Sequence, residues 1–379
     1  MNPKLLQAMA VLLACWGAHA QVNSGSNGSD GAFNPSTNTV INMADHPDGI
    51  YHYTSVNIPS GVTVTFIPNA NNTPVVWLVQ SNVVISGLVD VSGQNAPQIG
   101  DVRYGQGGQG GPGGFRGGNG GITASAGYGP GGGAADYNGQ GGTFVGNQFL
   151  VPLIGGSGGG GSTNGGGGGG GGGALLIAAS GTIQFNGGGL SARGGNGAWG
   201  GGWCCLGGGG SGGAIRLVAA RITGWGSIDV RGGWSAVSSG YGSSGRVRFD
   251  AFENEFSGNI DGAYSQGAQF VILPSAGQFP QLTIASVGGV PVSASPSGAL
   301  STPDAVLSAQ QNNPIPIVVH CSNIPLDTQI TVHVRPARGA AVSATGRNNS
   351  GTLASSTATI LINIPRGGGW IYATAATGN

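Results

Sequence analysis

A run of nine consecutive glycines, Gly165 to Gly173, limits what this chain can fold into more than any other feature. Glycine has no side chain to bury, so such a run is either flexible or held by contacts between backbones. Glycine supplies 81 of the 379 residues and close to half of the segment 94–173. No Gly-x-y period runs through the tracts, which excludes collagen. Two structures stay open for the 94–173 insertion: a flexible low-complexity loop, or a layer of polyproline-II-like glycine strands bonded to one another.

The segments between the glycine tracts repeat. Copies occupy 75–93, 175–195 and 215–233, and a fainter copy occupies 247–264. Equivalent inward positions are held by Val89, Leu190, Ile228 and Ile260, each followed on the opposite face by Asp90, Ser191, Asp229 and Asp261. Short strands that cannot bury their own apolar face indicate a solenoid. The sequence therefore predicts a right-handed parallel β-helix over 35–270, with a β-sandwich of hairpins as the alternative.

The composition changes from about residue 279, where glycine thins out and short β-strand patterns recur between turn residues. About 100 residues with this spacing predict an immunoglobulin-like β-sandwich over 279–379. Cys321 follows one of the strands and has no second cysteine in this region, so the disulfide of antibody domains is missing.

Two motifs in the repeat carry a family resemblance. The copies end in LSARGG (190–195) and IDVRGG (228–233), and GGALLIAA and GGAIRLVA precede them. In these motifs the chain resembles bacterial secreted Gly-rich β-helix proteins of the adhesin-like type. The resemblance implies a passive surface or extracellular role and brings no active site with it.

The first twenty residues read as a secretory signal peptide. Lys4 supplies the positive charge, an apolar stretch follows, and Ala18-His19-Ala20 fits a cleavage site. A lipoprotein signal ending at Cys15 is the alternative. The sequence predicts a secreted or cell-surface protein with a flexible segment at 21–34 and no transmembrane segment in the mature chain.

Charge excludes one class of partner and one class of cofactor. The 13 basic and 13 acidic residues cancel, and Lys4 is the single lysine. A neutral, lysine-free mature chain lacks the basic surface that nucleic acid requires. It also lacks the lysine of a phosphate-binding Walker loop. We expect no nucleic-acid partner and no cofactor.

Catalysis has one weak candidate site. Asp229 and Asp261 fall at equivalent positions of adjacent repeats, with Arg231 close by. Paired carboxylates serve as acid and base in enzymes that cleave polysaccharides. The competing interpretation is an outward ladder of ion pairs that keeps the face in water. The sequence favours the ladder, and therefore a protein without enzymatic activity.

Aromatic residues around the third copy are the candidate binding surface for a glycan or a protein: Trp199, Trp203, Trp225, Trp234 and Tyr241. Packing against the glycine strands is the alternative role. The neighbouring Cys204 and Cys205 are a possible disulfide pair.

Metal ligation is not expected. The mixed cluster of Asp45, His46, Asp48 and His52 has the composition of an ordinary turn. Taken together, these patterns predict a non-enzymatic structural or adhesive protein of the cell surface or extracellular matrix that associates with itself or with surface glycans or proteins, and that can form filaments. The alternatives are a carbohydrate-binding or polysaccharide-degrading lyase or hydrolase, and a flat-surface binder of ice or crystalline glycan.

Overall fold

The computed structural model describes residues 22–98, 105–122, 124–163, 165–200, 205–236, 238–268, 270, 272, 280–293, 296, 302–337 and 340–376. Within these ranges the regular structure is β, apart from two short 3-10 helices at Met43–Asp45 and Ser238–Gly240. None of the helices in the described ranges has the length and apolar character needed to cross a bilayer. The predicted all-β class is therefore confirmed. The predicted signal peptide and Cys15 lie outside the described residues.

Thirteen strands form one parallel sheet. They are β1 (Gly31–Phe33), β2 (Thr39–Asn42), β3 (Ile50–Ile58), β4 (Thr63–Ile67), β5 (Val75–Val79), β6 (Val83–Ile85), β7 (Leu88–Asp90), β8 (Ala174–Ala179), β9 (Thr182–Ser191), β10 (Ala214–Asp229), β11 (Arg246–Phe256), β12 (Asn259–Asp261) and β13 (Ala263–Gly267).

Six of these strands close into a ring. Around the ring the hydrogen-bonded neighbours are β3, β5, β8, β10, β9 and β6, and β6 pairs again with β3. The core is thus a closed six-stranded parallel barrel to which the other strands are added. The predicted right-handed β-helix over 35–270 is wrong. The alternative of a hairpin sandwich is wrong as well, because every pairing in this sheet is parallel.

The ring closes because β10 continues from one neighbouring strand to the next. β10 has 16 residues and pairs with β8 through 214–218 and with β9 through 221–229. Within the second stretch Gly224 adopts a φ of +90°, where a side chain is strained. The sequence pattern treats such a glycine as the end of a strand, whereas here it is a bend within one.

The register between the copies agrees with the repeat read from the sequence. Val89 pairs with Leu190, Leu190 with Ile228, and Ile228 with Ile260. The first three side chains are at most 1% exposed, and Ile260 packs against the same core at the edge. Each buried aliphatic side chain of this kind stabilises the fold by about 1.5–3 kcal/mol. The inward positions of the repeat are therefore confirmed.

The C-terminal strands form two antiparallel sheets. Their strands are β14 (Gln281–Val287), β15 (Val290–Pro291), β16 (Ile315–Ser322), β17 (Gln329–Pro336), β18 (Val342–Arg347), β19 (Ser350–Gly351), β20 (Ser356–Ile362) and β21 (Gly369–Ala376). The five-stranded sheet has the order β15-β14-β16-β20-β19, and the three-stranded sheet has the order β18-β17-β21. Alternate residues of β16, β17 and β20 are buried and share one core.

The immunoglobulin-like prediction for 279–379 is wrong. A cleft of about 950 Å³ lies between the two sheets and is lined by Leu282, Ile284, Ile371 and Ala373. Alternation of apolar residues predicts that each strand has one buried face. It does not predict how many strands complete each sheet, which is where the sequence pattern failed.

Candidate functional site

The described part of the glycine-rich insertion is an ordered bundle. In three consecutive residues the amides of Gly168, Gly169 and Gly170 donate to the carbonyls of Gly118, Gly208 and Gln94, at 2.9, 2.8 and 3.0 Å. The carbonyls of the same three residues accept from the amides of Gly108, Gly159 and Gly195, at 2.8, 2.9 and 2.7 Å. The run 165–173 is thus surrounded by six backbone segments, and its bonds change direction with a period of three residues, as in polyproline-II-like strands.

At the centre of this bundle the run admits only glycine. A Cβ on Gly169 would lie 1.9 Å from the carbonyl oxygen of Gly195, and one on Gly170 would lie 1.9 Å from that of Gln109. These separations are far below van der Waals contact, and the blocking atoms belong to backbone that is itself bonded in the bundle. The flexible-loop interpretation is therefore wrong for the described residues, and the interpretation as bonded glycine strands is confirmed.

The bundle also contacts the C-terminal sheets. The hydroxyl of Tyr372 and the guanidinium of Arg335 donate to the carbonyl of Gly129, at 3.1 and 3.3 Å. Beside them the rings of Tyr128 and Trp370 meet edge to face, with centroids 5.1 Å apart. Charged and aromatic side chains of β17 and β21 thus bind bare backbone of the glycine layer.

The candidate catalytic residues come together on the outside of the parallel sheet. Asp229 pairs in register with Asp261, as the repeat predicts. Arg231 binds Asp229 through Nε and Nη2, at 3.0 and 2.6 Å, and its Nη2 lies 3.7 Å from Asp261. Arg193 approaches Asp229 from the other side, at 3.5 Å. The result is a ladder of alternating charges.

The ladder holds Asp229 in its ionised form. Burial pushes the pKa of Asp229 up, but hydrogen bonds from the side chain and backbone of Arg231 and the charge of Arg193 outweigh burial, so the pKa is lowered. The same pairing raises the pKa of Arg231. A general acid needs a carboxyl that stays protonated near the working pH. Asp229 has the opposite character and has no oxygen left without a cationic partner.

Two of the five candidate binding aromatics lie together. Trp199 and Trp234 have ring centroids 6.2 Å apart and are inclined at 34°. The ring of Trp225 is 66% exposed and lies over Gly187, 2.9 Å from where a Cβ would stand there. Tyr241 is exposed, and among the described residues no ring contact joins it or Trp225 to the pair. Trp203 lies outside the described residues.

Side-chain amides position the tryptophan pair, and the sequence analysis missed them. Asn196 Oδ1 accepts from the amide of Trp234 at 2.7 Å, and Gln98 Oε1 accepts from the amide of Trp199 at 3.1 Å. One strand further, Asn95 Oδ1 accepts from the amide of Asn196 at 2.7 Å. The signal was present, because Asn95 and Asn196 follow the same motif at equivalent positions of two copies.

Cys205 takes part in a disulfide and lies in the left-handed region, with φ +75°. Cys204, its predicted partner, lies outside the described residues. Cys321 is a free, buried thiol, and burial raises its pKa, so it is not a reactive nucleophile.

A buried ionic cluster between β10 and β11 was also missed. Arg216 and Arg248 pair in register, and both bind Asp250, at 3.1 Å from Nε and 2.7 Å from Nη2 respectively. All three side chains are at most 6% exposed, and the guanidinium of Arg248 lies 5.4 Å from the ring centre of Phe149. Burial lowers the pKa of Arg216 although Asp250 pulls it up. The alternation in RVRFD (246–250) carried this signal, but the sequence analysis assigned no role to these residues.

The His/Asp cluster has the contacts of a turn. Asp48 Oδ1 accepts from the amide of Ile50 at 3.0 Å, and His46 Nδ1 lies 2.9 Å from the carbonyl of Ile50. His46 Nε2 lies 3.6 Å from Asp30. Nowhere in the described ranges do three or more His, Cys, Asp or Glu side chains form a group that could hold a metal ion.

Comparison with protein-family models, with curated proteins and with solved structures gives no match for this chain. The resemblance to adhesin-like proteins therefore stays a prediction. Only the geometry of the described residues bears on the function.

Proposed function

We propose that this chain is an exported, non-enzymatic structural and adhesive protein of the cell surface or extracellular matrix. The observation that carries the proposal is the glycine bundle, in which Gly168 to Gly170 bind six neighbouring segments through backbone groups alone. Ordering glycine costs more conformational entropy than ordering any other residue. A body built in this way is stiff and offers an uncharged backbone surface, which suits a scaffold that packs densely or presents a binding face.

The carboxylate ladder supports the same proposal. Asp229 is held between Arg193 and Arg231, so the one candidate acid–base pair is engaged in ion pairs. An exposed ladder of this kind keeps one face of the sheet hydrated. The polysaccharide lyase or hydrolase alternative requires Asp229 or Asp261 to be free for chemistry.

Electron microscopy of the purified mature chain, from micromolar to millimolar concentration, tests the structural role. We expect regular filaments or sheets, because the parallel sheet ends in strands with free edges. A polysaccharide depolymerisation assay on the wild type and on Asp229→Ala/Asp261→Ala tests the enzymatic alternative. Turnover by the wild type that the double variant loses would overturn the proposal. Dispersed particles that also fail to adhere to polysaccharide or protein surfaces would overturn it too.

Carbohydrate binding is a second candidate, favoured by the Trp199–Trp234 pair. Two inclined rings fixed by amides from Asn196 and Gln98 give the flat apolar surface on which a sugar face stacks. A glycan array with the wild type, Trp234→Ala and Trp225→Ala tests this surface. Trp225→Ala is the matched control, because it removes an exposed tryptophan away from the pair. Loss of a glycan signal in Trp234→Ala alone supports the surface, and equal signals in all three proteins contradict it.

A further inference from the structure

The parallel sheet ends in an open pocket. β13 pairs with β11 only through Arg246 to Asp250, so the rest of β11 and the whole of β12 have no strand on their outer side among the described residues. A pocket of about 280 Å³ lies between these strands. Its volume is at the lower end of the range for small-molecule sites, which corresponds to a ligand of one ring.

The pocket lies at the end of the apolar core, where no further strand of the described ranges covers the last residues of the core. Phe249 is buried on the inner face of the sheet, whereas Phe256 and Ile260 are only partly buried because no further strand covers them. The chain after β13 does not cover them in its described part. Phe270 instead packs on Phe252, with ring centroids 4.3 Å apart, and Ile272 joins a separate cluster with Leu78.

The lining combines aromatic faces with neutral amides. The rings of Phe249 and Phe256 stack with centroids 5.7 Å apart, and Tyr264 stands edge-on to Phe249 at 6.4 Å. Asn254 Nδ2 donates to Gln266 Oε1 at 3.1 Å, which places two amide groups together at the pocket. None of the described residues that line it is charged.

This chemistry selects one class of ligand. An ionic ligand would find no opposite charge among the lining residues. A purely apolar ligand would offer the amides of Asn254 and Gln266 no hydrogen-bond partner. A neutral sugar satisfies both, because the C–H face of a pyranose stacks on aromatic rings while its hydroxyls exchange hydrogen bonds with amides. We propose that the pocket lined by Phe256, Tyr264, Asn254 and Gln266 is a binding site for a single neutral pyranose unit.

A strand from a second copy of the chain is the competing occupant of the pocket. The charged side chains on the uncovered part of β11 disfavour it. Glu253 and Glu255 stand on the uncovered part of β11 and are paired with Arg221, at 3.5 and 2.5 Å. Charged side chains on an exposed edge disfavour the addition of another strand. This uncovered part of β11 is therefore closed to a further strand, whereas the outer edges of β13 and β2 stay free in the described structure and the pocket beside β11 stays open. The site is separate from the Trp199–Trp234 surface, and its test is independent of that surface.

Saturation-transfer NMR with the methyl glycosides of glucose, galactose, mannose and N-acetylglucosamine tests the site on the full mature chain. In the Trp234→Ala background, which removes the other candidate sugar surface, we expect at least one glycoside to bind, and we expect the added Asn254→Ala or Tyr264→Ala substitution to weaken that binding at least 10-fold. Both substituted side chains are exposed, so the fold should survive, and a thermal melt confirms it.

Two results would overturn the proposal. One is the absence of saturable binding by all four glycosides. The other is binding that Asn254→Ala and Tyr264→Ala leave unchanged. Sedimentation velocity gives a further check, because self-association that Tyr264→Ala abolishes would assign the pocket to a second copy and overturn the sugar site.

Discussion

The carbonyl oxygen of Gly159 lies 2.0 Å from the position that a Cβ on Gly168 would occupy. The amide of Gly159 is itself bonded to Gly169 at 2.9 Å, so Gly159 cannot move away without breaking that bond. At Gly168 the absence of a side chain is therefore a packing requirement, because six segments meet around this run.

Gly168→Ala should lower the free energy of unfolding by about 3 kcal/mol, as overpacking in a tight interior does. Gly61→Ala is the matched control: Gly61 has φ +77° and nothing within 4 Å of the new methyl group, so only backbone strain of about 1 kcal/mol applies. Urea denaturation of both variants measures the difference. Equal losses would mean that the bundle is loose enough to admit a methyl group.

Part of this structure could be predicted from the sequence. The pairing of Val89, Leu190 and Ile228 followed from the repeat, because period-two alternation and equal spacing fix both face and register. The closed ring did not follow, since it depends on β10 continuing without a break from its pairing with β8 (214–218) to its pairing with β9 (221–229). A glycine in the sequence pattern indicates a corner of the backbone. It does not indicate whether the strand ends at that corner or bends and continues.

Asp229→Asn should lower stability by about 1 kcal/mol at pH 7, because two arginines lose their anion at a partly exposed site. The pKa of Asp229 is lowered in the folded state, so its contribution is fully present above the unfolded pKa of about 3.9 and is lost as the pH falls from that value through the lower folded pKa. Urea denaturation at pH 7 and at pH 2.5 measures the difference in unfolding free energy between the wild type and the variant at each pH. The gap between wild type and variant should close at the lower pH.

Asp90→Asn is the control for this pH dependence. Asp90 occupies the equivalent position on β7, and the structure gives it no ion pair within the described ranges. Its variant should show a smaller gap at pH 7. A gap for Asp229→Asn that persists unchanged at low pH would contradict the assignment of its stabilising effect to charge.

Asp250→Ala should be far more damaging, with a loss of about 3–5 kcal/mol, because it leaves the buried guanidinium groups of Arg216 and Arg248 without the carboxylate between them. Glu255→Gln is the control, since Glu255 binds Arg221 in an exposed pair and its change should leave the melting temperature unaltered. Thermal unfolding followed by circular dichroism compares the two. Similar melting temperatures would show that water enters the Arg216–Asp250 cluster.

The sequence predicted the candidate site only where its residues occupy equivalent positions of the repeat. Asp229 and Asp261 were expected to stack, and they do, because both follow the same inward residue of adjacent copies. The tryptophans gave no such guide: Trp225 and Trp234 are close in sequence, but Trp225 lies within β10, whereas Trp234 follows the end of that strand and packs with Trp199. The cluster of Arg216, Arg248 and Asp250 was not predicted, because its members come from two different copies of the repeat and meet only through the pairing of β10 with β11.

Tyr51→Phe should make the protein more resistant to alkaline pH. The hydroxyl of Tyr51 is buried without a hydrogen-bond partner in the described structure, and its ring packs between His46 and Tyr53, with centroids 4.1 and 5.9 Å away. An unsatisfied buried donor costs about 1–3 kcal/mol, so its removal should leave stability at pH 8 equal or about 1 kcal/mol higher.

The advantage of Tyr51→Phe should grow as the pH rises. Burial, followed by the charges of Asp30, Asp45 and Asp48, raises the pKa of Tyr51 to about 12. In the unfolded chain the phenol ionises near pH 10, so wild-type stability falls between pH 10 and 12, and at pH 11 the deficit from this group is about 1 kcal/mol. Tyr241→Phe, at an exposed position, is the control and should follow the wild type at both pH values. Urea denaturation at pH 8 and pH 11 measures the change, and an unchanged difference between Tyr51→Phe and wild type would show that Tyr51 ionises freely in the folded protein.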